Sequence, residues 1–365
     1  MKRILLFINS LSSGGAEHQL SILANMLVEN GYDVTLATIS NTPDHYELLK
    51  DVKRIHIESD CSNRILKLLS IWKFFLRIKC DCVISYCQRN SFFALPALML
   101  HSRKKLKVIC GERNLSVGKQ TSIEKVLLGF LYRRADFIVP NSYSQYNYIA
   151  NKAPHLIGKL KTITNYTPID KYIYHDQPNN APLKIGIFCR YEKQKNCLAF
   201  LKATLNANEK YPKKFTIHWY GNKNLGNQEL ISYYNSLESF IKENELQDIV
   251  HLNNAVKNVS ELMPSFDAIC LPSLYEGFSN TISEAICSGR PVICSAVSDN
   301  GLMVKNGENG FLFNPEDVED MSEALCNFIS TTLDERISMG IKSRHIAETL
   351  FDKTKFINSY MGLIN

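Results

Sequence analysis

Two doubly wound α/β domains facing a central cleft, each a parallel sheet wrapped by helices, are what this chain predicts. Three observations carry the expectation. Short apolar runs alternate with segments of helical period, as crossover connections between parallel strands require. The alternation breaks in an irregular stretch, residues 166–182, that holds Pro168, Pro178 and Pro182, and then starts again. The length, 365 residues, is enough for two domains at roughly 100 to 200 residues each.

The first series of strands falls at residues 3–8, 34–39, 53–57, 82–85, 106–110 and 137–139, each read as a run buried on both faces. The second falls at 184–188, 215–220, 249–252, 268–271 and 292–295, followed by a last strand-like run at 310–313. Helical periodicity then covers 316–329, 334–349 and 355–363. The predicted division is 1–170, 171–345, and a helical segment 346–365 that crosses back to the first domain. No fixed-period repeat appears, which sets solenoids aside.

Composition narrows the class. Apolar residues make up 45% and charged residues 21%, values of a globular chain rather than a disordered one. The run after Lys2 and Arg3 is too short for a signal-peptide core, and residues 65–78 are interrupted by Lys67, Lys73 and Arg77, so no spanning helix is expected. Eleven cysteines, several inside apolar runs, point to a reducing compartment and a cytoplasmic address. Charge is uneven: residues 1–170 hold 23 Lys and Arg against 13 Asp and Glu, while residues 171–365 hold 19 against 23. A basic first half suggests an anionic partner for that domain alone.

Chemistry can sit at three places. Residues 9–17 form a small-residue loop with Gly14 and Gly15 that opens a helix, so that N–H groups and a positive dipole end are offered to an anion. A tight turn that needs glycine only for its geometry is the competing reading. Residues 267–285 read as a buried strand ending at Pro272, a glycine-bearing loop, and a helix starting near Ser279. Glu276 then stands at the mouth and Glu284 in the first turns of the helix, at the strand end where open α/β sheets bind ligands. Gly277, Phe278 and the N–H groups of Asn280, Thr281 and Ile282 lie between the two carboxylates. This pattern suits a ligand with phosphates in the middle and sugars at both ends. In residues 185–196 another strand runs into a loop with Arg190 and Lys195, two cations able to neutralise a diphosphate.

In this order the motifs resemble the retaining glycosyltransferases of family 4, which have the two-domain GT-B architecture. The resemblance runs from Gly14-Gly15-Ala16-Glu17 through Asn165, Arg190 with Gln194-Lys195-Asn196, Tyr220-Gly221, Pro272-Ser273, Glu276-Gly277-Phe278 and Glu284 to Gly289-Arg290-Pro291-Val292 and Asn309-Gly310-Phe311. It implies transfer of a hexose or N-acetylhexosamine, with retention and without a metal, from a nucleotide diphosphate sugar held by the C-terminal domain to an acceptor held by the N-terminal domain. Arg190, Lys195 and Glu276 would be catalytic, with Gly15, Glu284, Gly277, Phe278, Asn280, Thr281 and Ile282 binding the donor. Glu112, Arg113 and Asn165 would lie on the acceptor or hexose side. A UDP-sugar ranks ahead of a GDP-sugar as donor substrate, and no cofactor is expected. The chain departs from the family at Cys189, where a glycine is usual, and at Arg113, which takes the place of a histidine.

The acceptor is argued from the basic half. Residues 64–79 interleave Leu, Ile, Trp and Phe with Arg64, Lys67, Lys73, Arg77 and Lys79, and 103–105 and Arg133-Arg134 add charge. Such a helix can lie on an anionic bilayer; a crossover helix on the sheet is the alternative. The resemblance then implies a glycan or polyprenyl-diphosphate-linked acceptor, and the basic helix a peripheral contact with the inner face of the plasma membrane, with no nucleic acid expected. A nucleotide-sugar epimerase of the same architecture and an inactive binding paralogue remain as alternatives.

Overall fold

The computed structural model describes residues 1–12, 14–57, 64–101, 105–113, 120–223 and 226–365. These form two units, Met1–Tyr166 with Lys353–Asn365, and Thr167–Asp352.

In the first unit six strands, β1 (Arg3–Ile8), β2 (Asp33–Thr38), β3 (Lys53–His56), β4 (Cys82–Tyr86), β5 (Lys107–Glu112) and β6 (Phe137–Pro140), pair in the order β3-β2-β1-β4-β5-β6. Every pairing is parallel. β1 and β4 are apolar almost throughout because both faces lie under helices, and Leu5, Phe7, Val83, Val108 and Ile138 build the core. β3 corrects the sequence reading: its first three residues are exposed. It is an edge strand that pairs only with β2, and its Arg54 holds Asp44 instead of facing a core. The C-terminal helix Lys353–Ile364 belongs to this unit. Phe356 packs at a tilt against the Tyr166 ring, and Lys353 pairs with Glu29 at 3.0 Å.

The second unit repeats the plan with β7 (Leu183–Phe188), β8 (Phe215–Gly221), β9 (Val250–Asn254), β10 (Ala268–Leu271), β11 (Val292–Ser295) and β12 (Gly310–Phe313) in the order β12-β11-β10-β7-β8-β9. Trp219, Phe200 and Phe215 fill its core, and a buried side chain of this size contributes about 1.5–3 kcal/mol. The Gly289-Arg290-Pro291-Val292 run is structural. Gly289 ends the helix Asn280–Cys287 at φ +66, where a Cβ would lie 2.4 Å from the Tyr174 ring. Arg290 is buried and donates to the carbonyls of His175, Asp176 and Pro264, which ties the segment before β7 to the sheet.

Candidate active site

The loop after β7 is held from below. Trp219 Nε1 donates to the Cys189 carbonyl at 3.1 Å, and the Tyr191 hydroxyl bonds the carbonyls of Trp219 and Asn253. Gly221 is required because a Cβ there would lie 2.5 Å from the Cys189 carbonyl oxygen. Gln194 then couples this loop to the one after β10, accepting from the Leu274 N–H and donating to the Tyr275 carbonyl, each at 2.9 Å. The coupling brings Lys195 Nζ to 2.5 Å from Glu276 Oε1, with side chains only 13% and 12% exposed. Burial by itself would lower the Lys195 pKa, but the Glu276 carboxylate more than offsets it and the ammonium is held above its ordinary value. Arg190 stands apart: its side chain is 58% exposed and pairs with Glu192 at 3.0 Å. The two cations expected to act together therefore differ, one buried and engaged, the other at the solvent edge.

The helix Asn280–Cys287 opens on Ser279, whose hydroxyl accepts from the Ile282 N–H at 3.3 Å. This corrects the expectation for Ile282, because its N–H is taken by the capping side chain. Thr281 donates its hydroxyl to the Phe188 carbonyl at 3.0 Å, pinning the helix start to the end of β7. Phe278 is buried edge-on against Phe351, a contact that helps to pack the loop. The Gly277 carbonyl accepts from Ser298 at 2.7 Å. One turn into the helix, burial pushes the Glu284 carboxyl up to about 7, partly offset by a hydrogen bond with Tyr172. Among the described residues no group of three His, Cys, Asp or Glu side chains is placed to hold a metal ion.

In the first unit Gly15 starts the helix Gly15–Glu29, with Gly14 extended at its N-cap and bonded through both its N–H and its carbonyl to the Tyr46 hydroxyl. Arg113 follows β5 and Asn165 lies near the end of the unit's first segment. The structure brings them together, Arg113 Nη1 being 3.3 Å from Asn165 Oδ1. Glu112 turns away to the buried Tyr132 hydroxyl and to Gln88, and burial pushes its carboxyl up to about 7. It is packed inside the unit and makes no ion pair with Arg113, although the Arg113 charge acts through space to lower its pKa. Sequence reasoning missed Tyr86 and Tyr360: the Arg113 guanidinium lies 3.9 Å over the Tyr86 ring and donates to Tyr360 Oη at 2.5 Å. The pairing of β4 with β5 places Tyr86, and the C-terminal helix places Tyr360.

The amphipathic helix runs Arg64–Arg77. Its aromatic residues pack on the core: Phe75 is buried edge-on against Phe7, Phe74 is half-buried, and Trp72 Nε1 donates to the Phe93 carbonyl at 3.1 Å. That corrects the expectation of a tryptophan lying on a bilayer; the rings satisfy the crossover role first. Leu66, Leu69 and Leu76 remain exposed beside Lys73 and Arg77. Arg134 is occupied by the carbonyls of Leu98 and Leu106. Residues 103–104 lie outside the described residues. No described helix is long and apolar enough to cross a membrane.

Residues 182–331 match the family model "Glycosyl transferases group 1". With the two sheets and the ordered motifs, this defines the chain as a glycosyltransferase of the GT-B class, resembling the enzymes of family 4. The solved structure of HepE from Anabaena with UDP and glucose superposes with a TM-score of 0.81 at 17% identity over 99% of each chain. That of TarM from S. aureus superposes at 0.83 and 12%, over 100% of this chain and 99% of that one. The chain is similar at 24% identity, over 97% of each chain, to the N-acetylgalactosamine-N,N'-diacetylbacillosaminyl-diphospho-undecaprenol 4-alpha-N-acetylgalactosaminyltransferase of Campylobacter jejuni. It is also similar, at 23% over 85% of this chain and 87% of the relative, to the amylovoran biosynthesis glycosyltransferase AmsD of Erwinia amylovora.

Proposed function

We propose that the protein transfers a hexose or N-acetylhexosamine from a UDP-sugar to a glycan carried on a polyprenyl diphosphate, with retention of anomeric configuration, at the inner face of the plasma membrane. The observation that carries the donor half is the Lys195–Glu276 pair at the joined ends of β7 and β10. A buried ion pair is stable only while both charges are matched. A bound diphosphate takes over Lys195, which frees Glu276 to accept hydrogen bonds from sugar hydroxyls; each partner keeps the other's place until substrate arrives. Arg190, exposed and paired with Glu192, exchanges that partner to add charge to the leaving diphosphate. The N–H groups of Asn280 and Thr281 face its phosphates, and Glu284 holds the ribose.

The departing phosphate oxygen takes the proton from the acceptor hydroxyl as the new bond forms on the same face of the sugar. Positive charge developing on the ring and negative charge on the diphosphate are what Glu276 and Lys195 stabilise. The acceptor choice is supported by the likeness to the Campylobacter jejuni enzyme, whose name specifies a diphospho-undecaprenol acceptor, and by the basic first half with its leucine-bearing helix. Melting temperatures with UDP, GDP and their sugars test the donor, since a ligand of the folded state raises them by mass action. Stabilisation by GDP alone overturns the UDP assignment. Release of UDP that requires no acceptor, with the sugar recovered as an isomer, would favour epimerisation.

A further inference from the structure

Arg113 is 6% exposed, yet its contacts among the described residues are neutral: the Tyr360 hydroxyl, the Asn165 amide oxygen and the Tyr86 ring. Its Nε is buried with no hydrogen-bond partner. Its neighbour Glu112, the nearest carboxylate in sequence, is turned to Tyr132 and Gln88 and is felt by Arg113 only through space, without a contact. No described carboxylate forms an ion pair with Arg113. Burying a guanidinium without a counter-charge is costly, and buried cations in folded proteins are ordinarily paired. The residue also stands at the carboxyl end of β5, the end of a doubly wound sheet at which ligands bind. Tyr360 and Asn165 hold two of its nitrogens, so the guanidinium plane is set before any ligand arrives.

We propose that Arg113 is a recognition point for an oxyanion of the substrate, with Tyr360, delivered by the C-terminal helix, as its positioning residue. The inference rests on the glycosyl-transfer reading and deepens it. Two sources supply this chemistry, the carboxylate of an acidic donor sugar or a phosphate of the acceptor's carrier. Both present two oxygens in the plane that a guanidinium fork matches.

The test uses the full chain and calorimetric titration of two ligand pairs, UDP-glucose against UDP-glucuronate, and farnesol against farnesyl diphosphate, with UDP alone as reference. Wild type is expected to favour the anionic member of one pair by at least about tenfold, the effect of one charge-assisted hydrogen bond. Preference for UDP-glucuronate assigns the site to the donor, and preference for farnesyl diphosphate to the carrier. Arg113→Gln should abolish that preference while UDP affinity stays within twofold, Arg113→Lys should keep part of it, and Tyr360→Phe should weaken it. If Arg113→Gln does not fold, Tyr360→Phe and Arg113→Lys carry the comparison. Ratios unchanged in the variants, or no preference in wild type, overturn the inference while UDP binding leaves the transfer reading standing. UDP that does not bind overturns both.

Discussion

The two sheets have the same strand order when each is read outward from its first strand, yet their candidate sites handle charge in opposite ways. In the second unit Lys195 is buried against Glu276. In the first, Arg113 is buried against two hydroxyl-bearing rings and an amide. A paired charge can wait for ligand at little cost, because the carboxylate replaces the water that was lost. An unpaired one is held at the expense of stability, and such an arrangement persists where a ligand supplies the missing charge. Identical topology therefore says where a ligand goes, and the loop side chains say what it is.

Breaking the pair should have the largest effect. Lys195→Ala is expected to lower turnover roughly 100- to 1,000-fold, as loss of one donor to a developing oxyanion does, measured as acceptor-dependent UDP release. It should also lower the melting temperature by stranding Glu276, and the double variant Lys195→Met, Glu276→Gln should recover stability without recovering activity. Arg190→Ala should cost less, because its exposed charge is screened. Equal losses in the two single variants would erase the distinction between a buried and a rim cation.

Removing the carboxylate instead of the cation sharpens the same point. Glu276→Gln should lower transfer by about tenfold or more while UDP binds as well as or better than before, since Lys195 no longer has to leave a partner. Calorimetry with UDP checks this; weaker UDP binding would refute the placeholder role.

A smaller effect is a pH dependence. Burial holds the Glu284 carboxyl up near 7, so it is ionised, and able to accept from both ribose hydroxyls, only above that value. UDP affinity should therefore rise between about pH 6 and 8, and the rise should vanish in Glu284→Gln. The folded protein keeps a proton that the unfolded chain releases near 4.5, so stability should fall as pH rises from there toward 7, with a shallower fall in the variant. Melting curves across that window give the sign.

The effect furthest from the chemistry concerns the first unit's helix. Lys73→Glu with Arg77→Glu should weaken binding to phosphatidylserine vesicles, each basic residue contributing about 1 kcal/mol, and added salt should do the same to wild type. Wild-type protein that ignores such vesicles at low salt would end the membrane reading.

What the sequence determined alone is what depends on near neighbours along the chain. Apolar runs showed β1, β10 and β11 within a residue of their ends, three prolines marked the irregular segment between the two strand series, and a serine before an amphipathic stretch placed the start of the helix Asn280–Cys287. The order of motifs was enough to suggest a class of enzyme. Tertiary structure decided every pairing. Lys195 and Glu276 are 81 residues apart and Arg113 and Tyr360 are 247 apart, so no local pattern could announce either contact. It also decided that Trp72 turns inward, that β3 is an edge, and that the Ile282 N–H is already used. The apolar run at β3 was read as buried on both faces and is exposed, and the local pattern could not place Trp72 or the Ile282 N–H, because burial and hydrogen-bond partners are set by which surface folds against which.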